Sequence, residues 1–471
     1  MQKSKVIQLL RACDSTEFAA LAQFLASPYY NEDKKVIALF DYLQQFYPTF
    51  TAPELNKKNV FRVLFPQQDY DDKLFRYLLS DLNKRIEKFL AVRAVEQEAS
   101  QLTLALLETL STRGLHKHYQ QVARQWEEAF AAKTAKNSTF FKTQLAWSEI
   151  KEQHFQRQRV RKFDPSLQDF ANDLDKYYFL HRLKIACAML DRKSIFQAEY
   201  DVNISAQWIQ HLEAQQCFTE PLIQVYYTIF QALMQEYEES YYILLKNYIQ
   251  EYASAIAKDD LKDIYLFAIN YCARKIRQGK ANYVSEALQL YQVGIEQAVL
   301  IDEQGLSPWA FTNVVKLALR LQHYTWIENF IQQYAPKMPE TFRENALHYN
   351  LAELYYYTQR FDLAQAHLNQ VAFSDLNYYL GARVLLAKIF YELKEEEALL
   401  SLISSFTIFL KRNKQLSNDL KHTYLNFCQI LFQIMRRSPA QMPKLKEKIS
   451  ATKLLTDRAW LEEIYNKNRR S

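Results

Sequence analysis

Five glycines in a chain of 471 residues restrict what this sequence can fold into more than any motif does. Average usage near 7% would supply about 33. Hairpin turns, phosphate-binding loops and bulged strands consume glycine, because they need positive φ or a close backbone approach. A chain this poor in glycine has to join its elements by short helix–helix connections. The 11 prolines are few as well, so helices run uninterrupted. Hydrophobic residues make up 49% of the chain and aromatics 14%, ample for a large core, and disorder is not expected away from the ends. The expected fold class is all-α.

Length alone suggests about three domains. A helical array escapes that arithmetic, because each unit contacts its neighbours and the array grows without a central core. An elongated molecule is expected. Lys plus Arg number 59 against 53 acidic residues, a formal charge of +6. That weak excess permits an acidic partner or nucleic acid and demands neither. Cys13, Cys187, Cys217, Cys272 and Cys428 are scattered, with no Cys-x-x-Cys, and read as reduced, buried thiols of a cytoplasmic protein. MQKSKVIQLLRACDSTEF has too short an apolar run for a secretory signal. No stretch of about 18 uncharged apolar residues predicts a membrane span, so a membrane partner is not expected.

The punctuation divides the chain into four parts: an N-terminal helical domain over 1–95, an irregular array of helical hairpins over 96–300, repeats over 301–437, and a capping helix with a frayed tail over 438–471. In the first part Asp14 and Glu17 have the spacing of a capping box, as do Thr51 and Glu54, and Asn31 is placed to cap EDKKVIALFDYLQQFY. Pro66 ends one helix. The next, from about Asp71, carries Leu74, Leu78, Leu82, Ile86 and Phe89 as one apolar stripe. Gly114, Asp164-Pro165 and Thr219-Glu220-Pro221 mark turns. The pairs Tyr177-Tyr178, Tyr226-Tyr227 and Tyr241-Tyr242 read as inter-helix packing, with a stacking surface as the alternative.

Between 307 and 410 the sequence repeats. Asn313-Val314-Val315 aligns with Asn350-Leu351-Ala352, a step of 37 (350 − 313), and Leu351-Ala352 aligns with Leu386-Ala387, a step of 35 (386 − 351). Ile327, Ala364 and, one residue out of register, Ala398 share the position where a second helix crosses the first. The unit ALHYNLAELYYYTQRFDLAQAHLNQV, residues 346–371, resembles a tetratricopeptide repeat: Leu351 and Ala352, the aromatic Tyr355, the small Ala364, then Leu368 and Val371 stand where that family has its consensus. It departs at His348, where the family has Trp, and no proline closes it. The likeness extends faintly over 220–300. It implies a right-handed superhelix of antiparallel helix pairs whose first helices line a concave face holding a peptide or protein. On that implication Asn313, Lys316, Asn350 and Glu353 are candidate partner-binding residues. The pattern also has a physical reason of its own. Two helices approach closely only at a small side chain, and each pair leaves an apolar face for the next to cover. Beyond Ser438-Pro439, the residues Leu454, Leu455, Trp460, Leu461 and Ile464 would cover the last repeat.

Catalytic and cofactor motifs are missing from the sequence. There is no HExxH, GxSxG, GxGxxG or Walker loop. QGKAN at 278–282 lacks the flanking residues of a phosphate loop. His116 and His118, two apart, point to different sides of a helix. EYEES at 236–240 and KEEEA at 394–398 read as solvated faces. No metal or cofactor and no enzymatic activity are therefore expected.

Two basic stretches remain. KEQHFQRQRVRKF, 151–163, read as one helix, places His154, Arg157 and Arg161 on one face and Arg159 with Lys162 beside it. Such a cluster would grip phosphates or an acidic peptide, unless the charges are solvated or paired internally. Residues 57–90 resemble the winged-helix part of bacterial activators that place a DNA-binding module before tetratricopeptide-like repeats. That likeness would turn Lys73, Arg76, Ser80, Asn83 and Lys84 to the groove. It is opposed by the helical run after Leu90 and by Asp71, Asp72, Asp81 and Glu87 on the same helix. The expected function is a non-enzymatic adaptor or scaffold holding an unidentified protein or peptide. A transcription regulator binding DNA is the alternative.

Overall fold

The computed structural model describes residues 1–196, 199–235, 237–372, 375–436 and 442–470. Among them the chain is all-α, with 23 α-helices and one two-stranded hairpin. The chain divides into two compact units. One comprises Met1–Thr134 with Thr139–Tyr177, the other Ala135–Ser138 with Tyr178–Ser471. The Ser438-Pro439 boundary and Glu236 of EYEES lie outside the described residues.

The first unit opens with α1 (Lys5–Ala12), α2 (Ser15–Ala26), α3 (Lys34–Gln44), α4 (Lys57–Leu64) and α5 (Asp72–Gln97). The Asp14–Glu17 capping box forms. The other two caps differ from expectation. Asp33, not Asn31, caps α3. Asn31 is buried instead and donates its amide to Leu25 O at 2.9 Å, closing the end of α2. Asn56 caps α4, so Thr51 and Glu54 precede that helix. The buried stripe of α5 is Phe75, Leu78, Leu82, Ile86 and Phe89. Leu74 lies one position off it and is exposed. These stripes meet in one core with Ile7, Leu21, Phe40 and Phe61. The unit continues with α6 (Ala99–Thr112), α7 (His116–Ala131), α8 (Ser138–Arg157) and the start of α9 (Ser166–Phe196). A smaller core of Leu107, Tyr119, Trp126, Trp147 and Ile150 joins α6, α7 and α8.

The second unit holds α10 (Ala206–Glu213), α11 (Pro221–Met234), α12 (Ser240–Glu251), α13 (Lys258–Arg277) and α14 (Tyr283–Glu296). Then come α15 (Pro308–Arg320), α16 (Tyr324–Tyr334), α17 (Glu340–Tyr357), α18 (Phe361–Leu368), α19 (Leu376–Glu392) and α20 (Glu396–Arg412). The chain finishes with α21 (Asn418–Arg436), α22 (Met442–Ala451) and α23 (Arg458–Arg470). Consecutive helices pack as neighbours, and α17 also packs on α15 and on α19. Of the paired tyrosines, Tyr226 and Tyr242 are core residues, whereas Tyr178 is exposed. All five cysteines are buried.

The segment Ala135–Ser138 is stitched to the residues before and within α13. Lys136 N donates to Ala255 O at 2.9 Å and Ala257 N to Lys136 O at 3.0 Å, a parallel bridge. Asp260, 3% exposed, accepts from Ser138 N at 2.8 Å and from Tyr226 Oη at 3.1 Å, and it pairs with Lys184. A buried carboxylate survives when donors pair its oxygens, as these three do.

Sequence reasoning left no place for strands, yet β1 (Ile301–Asp302) and β2 (Gly305–Leu306) pair antiparallel between α14 and α15. The hairpin turns at one of the few glycines. Gly305 has φ +99, and a Cβ there would lie 2.2 Å from Lys337 O.

The turns inside α15–α16, α17–α18 and α19–α20 share one geometry. Gln322, Gln359 and Lys394 have φ of 59, 58 and 60. The following N–H reaches back five residues: His323 to Ala318 O at 3.1 Å, Arg360 to Tyr355 O at 2.8 Å, Glu395 to Phe390 O at 2.9 Å. This is the Schellman helix ending. The three turns stand 37 (359 − 322) and 35 (394 − 359) residues apart, the steps at which the sequence repeats. Val315, Ala352 and Ala387 are buried at equivalent positions, as are Ile327 and Ala364 where the second helix crosses. Ala398, out of register, is half-buried.

Candidate partner-binding face

Three positions of the first helices recur with these steps. Lys316, Glu353 and Lys388 occupy one, Asn313, Asn350 and Leu385 a second, and Arg320, Tyr357 and Glu392 a third. On α15, Asn313, Lys316 and Arg320 form an exposed stripe at i, i+3 and i+7. Asn313 donates to Tyr291 Oη on α14 at 3.2 Å. Its counterpart Asn350 is 0% exposed. There it donates to Ala346 O of its own helix at 2.7 Å and to Thr312 Oγ1 of α15 at 3.5 Å. One repeat position thus has two environments, and Asn350 does not present to a surface.

Glu353 is half-buried. Its Oε1 accepts from Tyr349 Oη at 2.9 Å, while Oε2 is buried without a hydrogen-bond partner. Tyr349 packs over Gly381 of α19, whose hydrogen leaves room for the ring. Burial first, then the Glu353 carboxylate and further off Asp457, push the Tyr349 hydroxyl well above its ordinary pKa. Tyr357 is raised by the same causes in the same order.

Lys388, the third member of the Lys316 position, was not singled out by sequence, although the step of 35 from Glu353 points to it. It pairs with Asp457, which stands just before α23. Its Nζ also lies 5.6 Å from the ring centroids of both Tyr356 and Trp460. Trp460 meets Tyr391 of α19 edge-on at 5.5 Å and Phe427 of α21 at 6.2 Å. The C-terminal helix therefore reaches back over α19 as well as covering α21. Trp460, Leu461 and Ile464 are buried in that seat, while Leu454 is exposed.

The basic residues are placed differently from one another. On α5, Lys73 and Lys84 are exposed. Arg76 pairs with Asp72 at 2.9 Å, and Asp72 also takes Lys57 at 3.1 Å. A hydrogen bond from Tyr70, then Lys57, holds the Asp72 carboxyl below the usual carboxylate range. Ser80 is exposed and Asn83 donates to Glu87 at 2.7 Å. After Leu90 the helix continues to Gln97, with no β-hairpin.

The single helix read through 151–163 is corrected. α8 stops at Arg157, and Arg159 turns the chain with φ +56. Arg159, Arg161 and Lys162 lie exposed in the segment before α9, where Asp164 accepts from Ser166 N at 2.9 Å. Arg157 donates to Ser111 Oγ at 2.9 Å and to Gln153 Oε1 at 3.2 Å. His154 is buried, stacked on Tyr119 at 3.6 Å. The cations do not share a helical face.

QGKAN is a helix ending. Gly279 has φ +86, and Lys280 donates to Glu239 at 2.5 Å. A cavity of about 350 Å³ beside it is lined by Ile276, Gly279, Ala281, Val284, Arg320 and Leu321. Among the described residues no group of three or more His, Cys, Asp or Glu is arranged to hold a metal, and no helix is long and apolar enough to cross a membrane.

Comparison with protein-family models, with curated proteins and with solved structures finds no match for this chain.

Proposed function

We propose that this chain is a non-enzymatic, cytoplasmic scaffold that holds a peptide or protein on the first helices of a tetratricopeptide-like array. In this reading α15–α20 are three units of a right-handed superhelix, and Lys316, Arg320, Glu353 and Tyr357 face the partner. One observation carries it: the same left-handed helix ending at Gln322, Gln359 and Lys394, at the steps of the sequence repeat. A shared helix ending starts the second helix of each pair from the same backbone geometry. The first helices α15, α17 and α19 then pack side by side, which brings one residue position from each into a row.

The DNA-binding alternative draws less support. Arg76 is already neutralised by Asp72, and the loop cations are not arrayed on a helix.

The test is an affinity pull-down from native lysate, with one half treated with nuclease. Each recovered protein is then purified and titrated against the chain and against a Lys316→Glu/Arg320→Glu variant. A protein recovered from both halves, bound directly, and weakened at least tenfold by the variant supports the scaffold. Prey that vanish with nuclease would replace it with the DNA reading.

A further inference from the structure

We propose that residues 456–465 are an internal ligand of the face formed by α17, α19 and α21. The external partner would be a peptide of the same chemistry, an acidic residue followed three positions later by an aromatic. This rests on the scaffold reading and names the partner class for it.

The seat is built for such a segment. Asp457 supplies the acid and Lys388 of α19 the cation. Trp460, three residues on, lies between Tyr391 of α19 and Phe427 of α21. Leu461 and Ile464 complete a buried stripe, while Glu462 and Glu463 stay exposed. An amphipathic helix laid into an aromatic groove and pinned by one ion pair is a recurring mode of peptide recognition.

Three features make this seating replaceable. The ion pair is partly solvated, with side-chain exposures of 13% for Lys388 and 27% for Asp457. Asp457 adopts φ +48, in the left-handed region that side chains disfavour. Its charge also stands close enough to Tyr349 to act on the same hydroxyl as Glu353, whose Oε2 is buried without a partner. The internal segment leaves that Oε2 without a donor. An external peptide that pairs with Lys388 and also donates to Glu353 would fit the face better.

The test uses the full chain and a fluorescein-labelled peptide of residues 453–470, read by anisotropy, with hydrogen exchange of the chain alone. The intact chain is expected to bind the peptide weakly. Asp457→Lys, and the milder Asp457→Asn, should bind it at least tenfold more tightly and exchange α23 amides faster, with α19 and α21 unchanged. Adding Lys388→Asp to Asp457→Asn should abolish the gain. Equal peptide binding by all variants, with α23 exchanging no faster than α21 in Asp457→Asn, would make α23 a fixed cap and overturn the proposal while leaving the scaffold reading standing. A released α23 with no lysate protein affected by Lys316→Glu/Arg320→Glu would remove the scaffold reading and leave the internal ligand in place.

Discussion

His348 and His367 face each other across the α17–α18 hairpin with their Nδ1 atoms 2.8 Å apart. At that distance one nitrogen carries the hydrogen and the other accepts it, so the contact exists only while at least one ring is neutral. Glu344 lies 3.6 Å from His348 Nε2, and Tyr355, capped by Arg360, lies against His367. Burial, then the His348 ring, lowers the pKa of His367.

A loss of stability in mild acid follows. The unfolded chain takes up a proton at His367 as pH falls through about 6.5, whereas the folded chain resists it. The unfolded state binds more protons over that window, so stability drops as the pH falls below that value, until the folded ring too is protonated. His154, lowered by burial, then His116, then Arg157, adds to the same trend. Urea midpoints should therefore decrease from pH 7.5 to 5.5, and His367→Asn should flatten the slope. An unchanged slope in that variant would remove the pair from the explanation.

Gly381→Ala should destabilise the second unit by about 1–3 kcal/mol, the usual cost of overpacking. An added Cβ would stand 2.8 Å from Tyr349 Oη and 2.9 Å from its Cε2. Retreat of the ring would stretch the hydrogen bond from its hydroxyl to Glu353. Combined with Tyr349→Leu, the alanine should cost less than it does alone, a coupling that a double-mutant cycle in urea reads directly. Strict additivity would mean that the clash is relieved elsewhere.

Replacing Gln322, Gln359 or Lys394 with Gly should stabilise the chain by about 0.5–1 kcal/mol each. Glycine avoids the left-handed penalty at some entropic cost to the unfolded state. The chain already uses Gly114 and Gly279 at positive φ in endings with the same backward hydrogen bonds. Thermal midpoints of the three single variants check this, and a fall at any of them would mean that its side chain makes an unsuspected contribution.

Asp260→Ala should cost about 3–5 kcal/mol, the range for breaking a buried ion pair from one side. It would strand Lys184, the Ser138 amide and the Tyr226 hydroxyl. Pairing it with Lys184→Met should recover part of the loss in denaturant titrations. No recovery would mean that the Ser138 and Tyr226 bonds, and not the charge, carry the effect.

The helices and their pairing were legible because glycine scarcity and the 37- and 35-residue steps act on backbone and sequence alike. Depth was not legible. Asn313 and Asn350 share a repeat position, but one meets Tyr291 of α14 while the other is shut in by Thr312 of α15, and a pattern within one helix carries no information about which neighbour covers it. On α5 only the first residue of the stripe differs, because Leu74 and Phe75 both fit a three-to-four spacing. The end of the basic helix at Arg157 is not legible, because a left-handed arginine at 159 leaves no trace in composition. Lys388 could have been found by extending the comparison of Lys316 and Glu353 by one more step. Its partner Asp457 could not, since that contact spans 69 residues.

The bond between Ser138 and Asp260 has a consequence for how the protein is made. Most helices here meet their sequence neighbours and can fold as soon as they leave the ribosome. Residues 135–138 cannot, because their partners arrive 122 residues later. At common synthesis rates that is a wait of roughly 6–24 s, and Lys184, made 76 residues before Asp260, waits for a shorter part of it. The seam between residues 135–138 and α13 therefore closes only after more than half of the chain has been made.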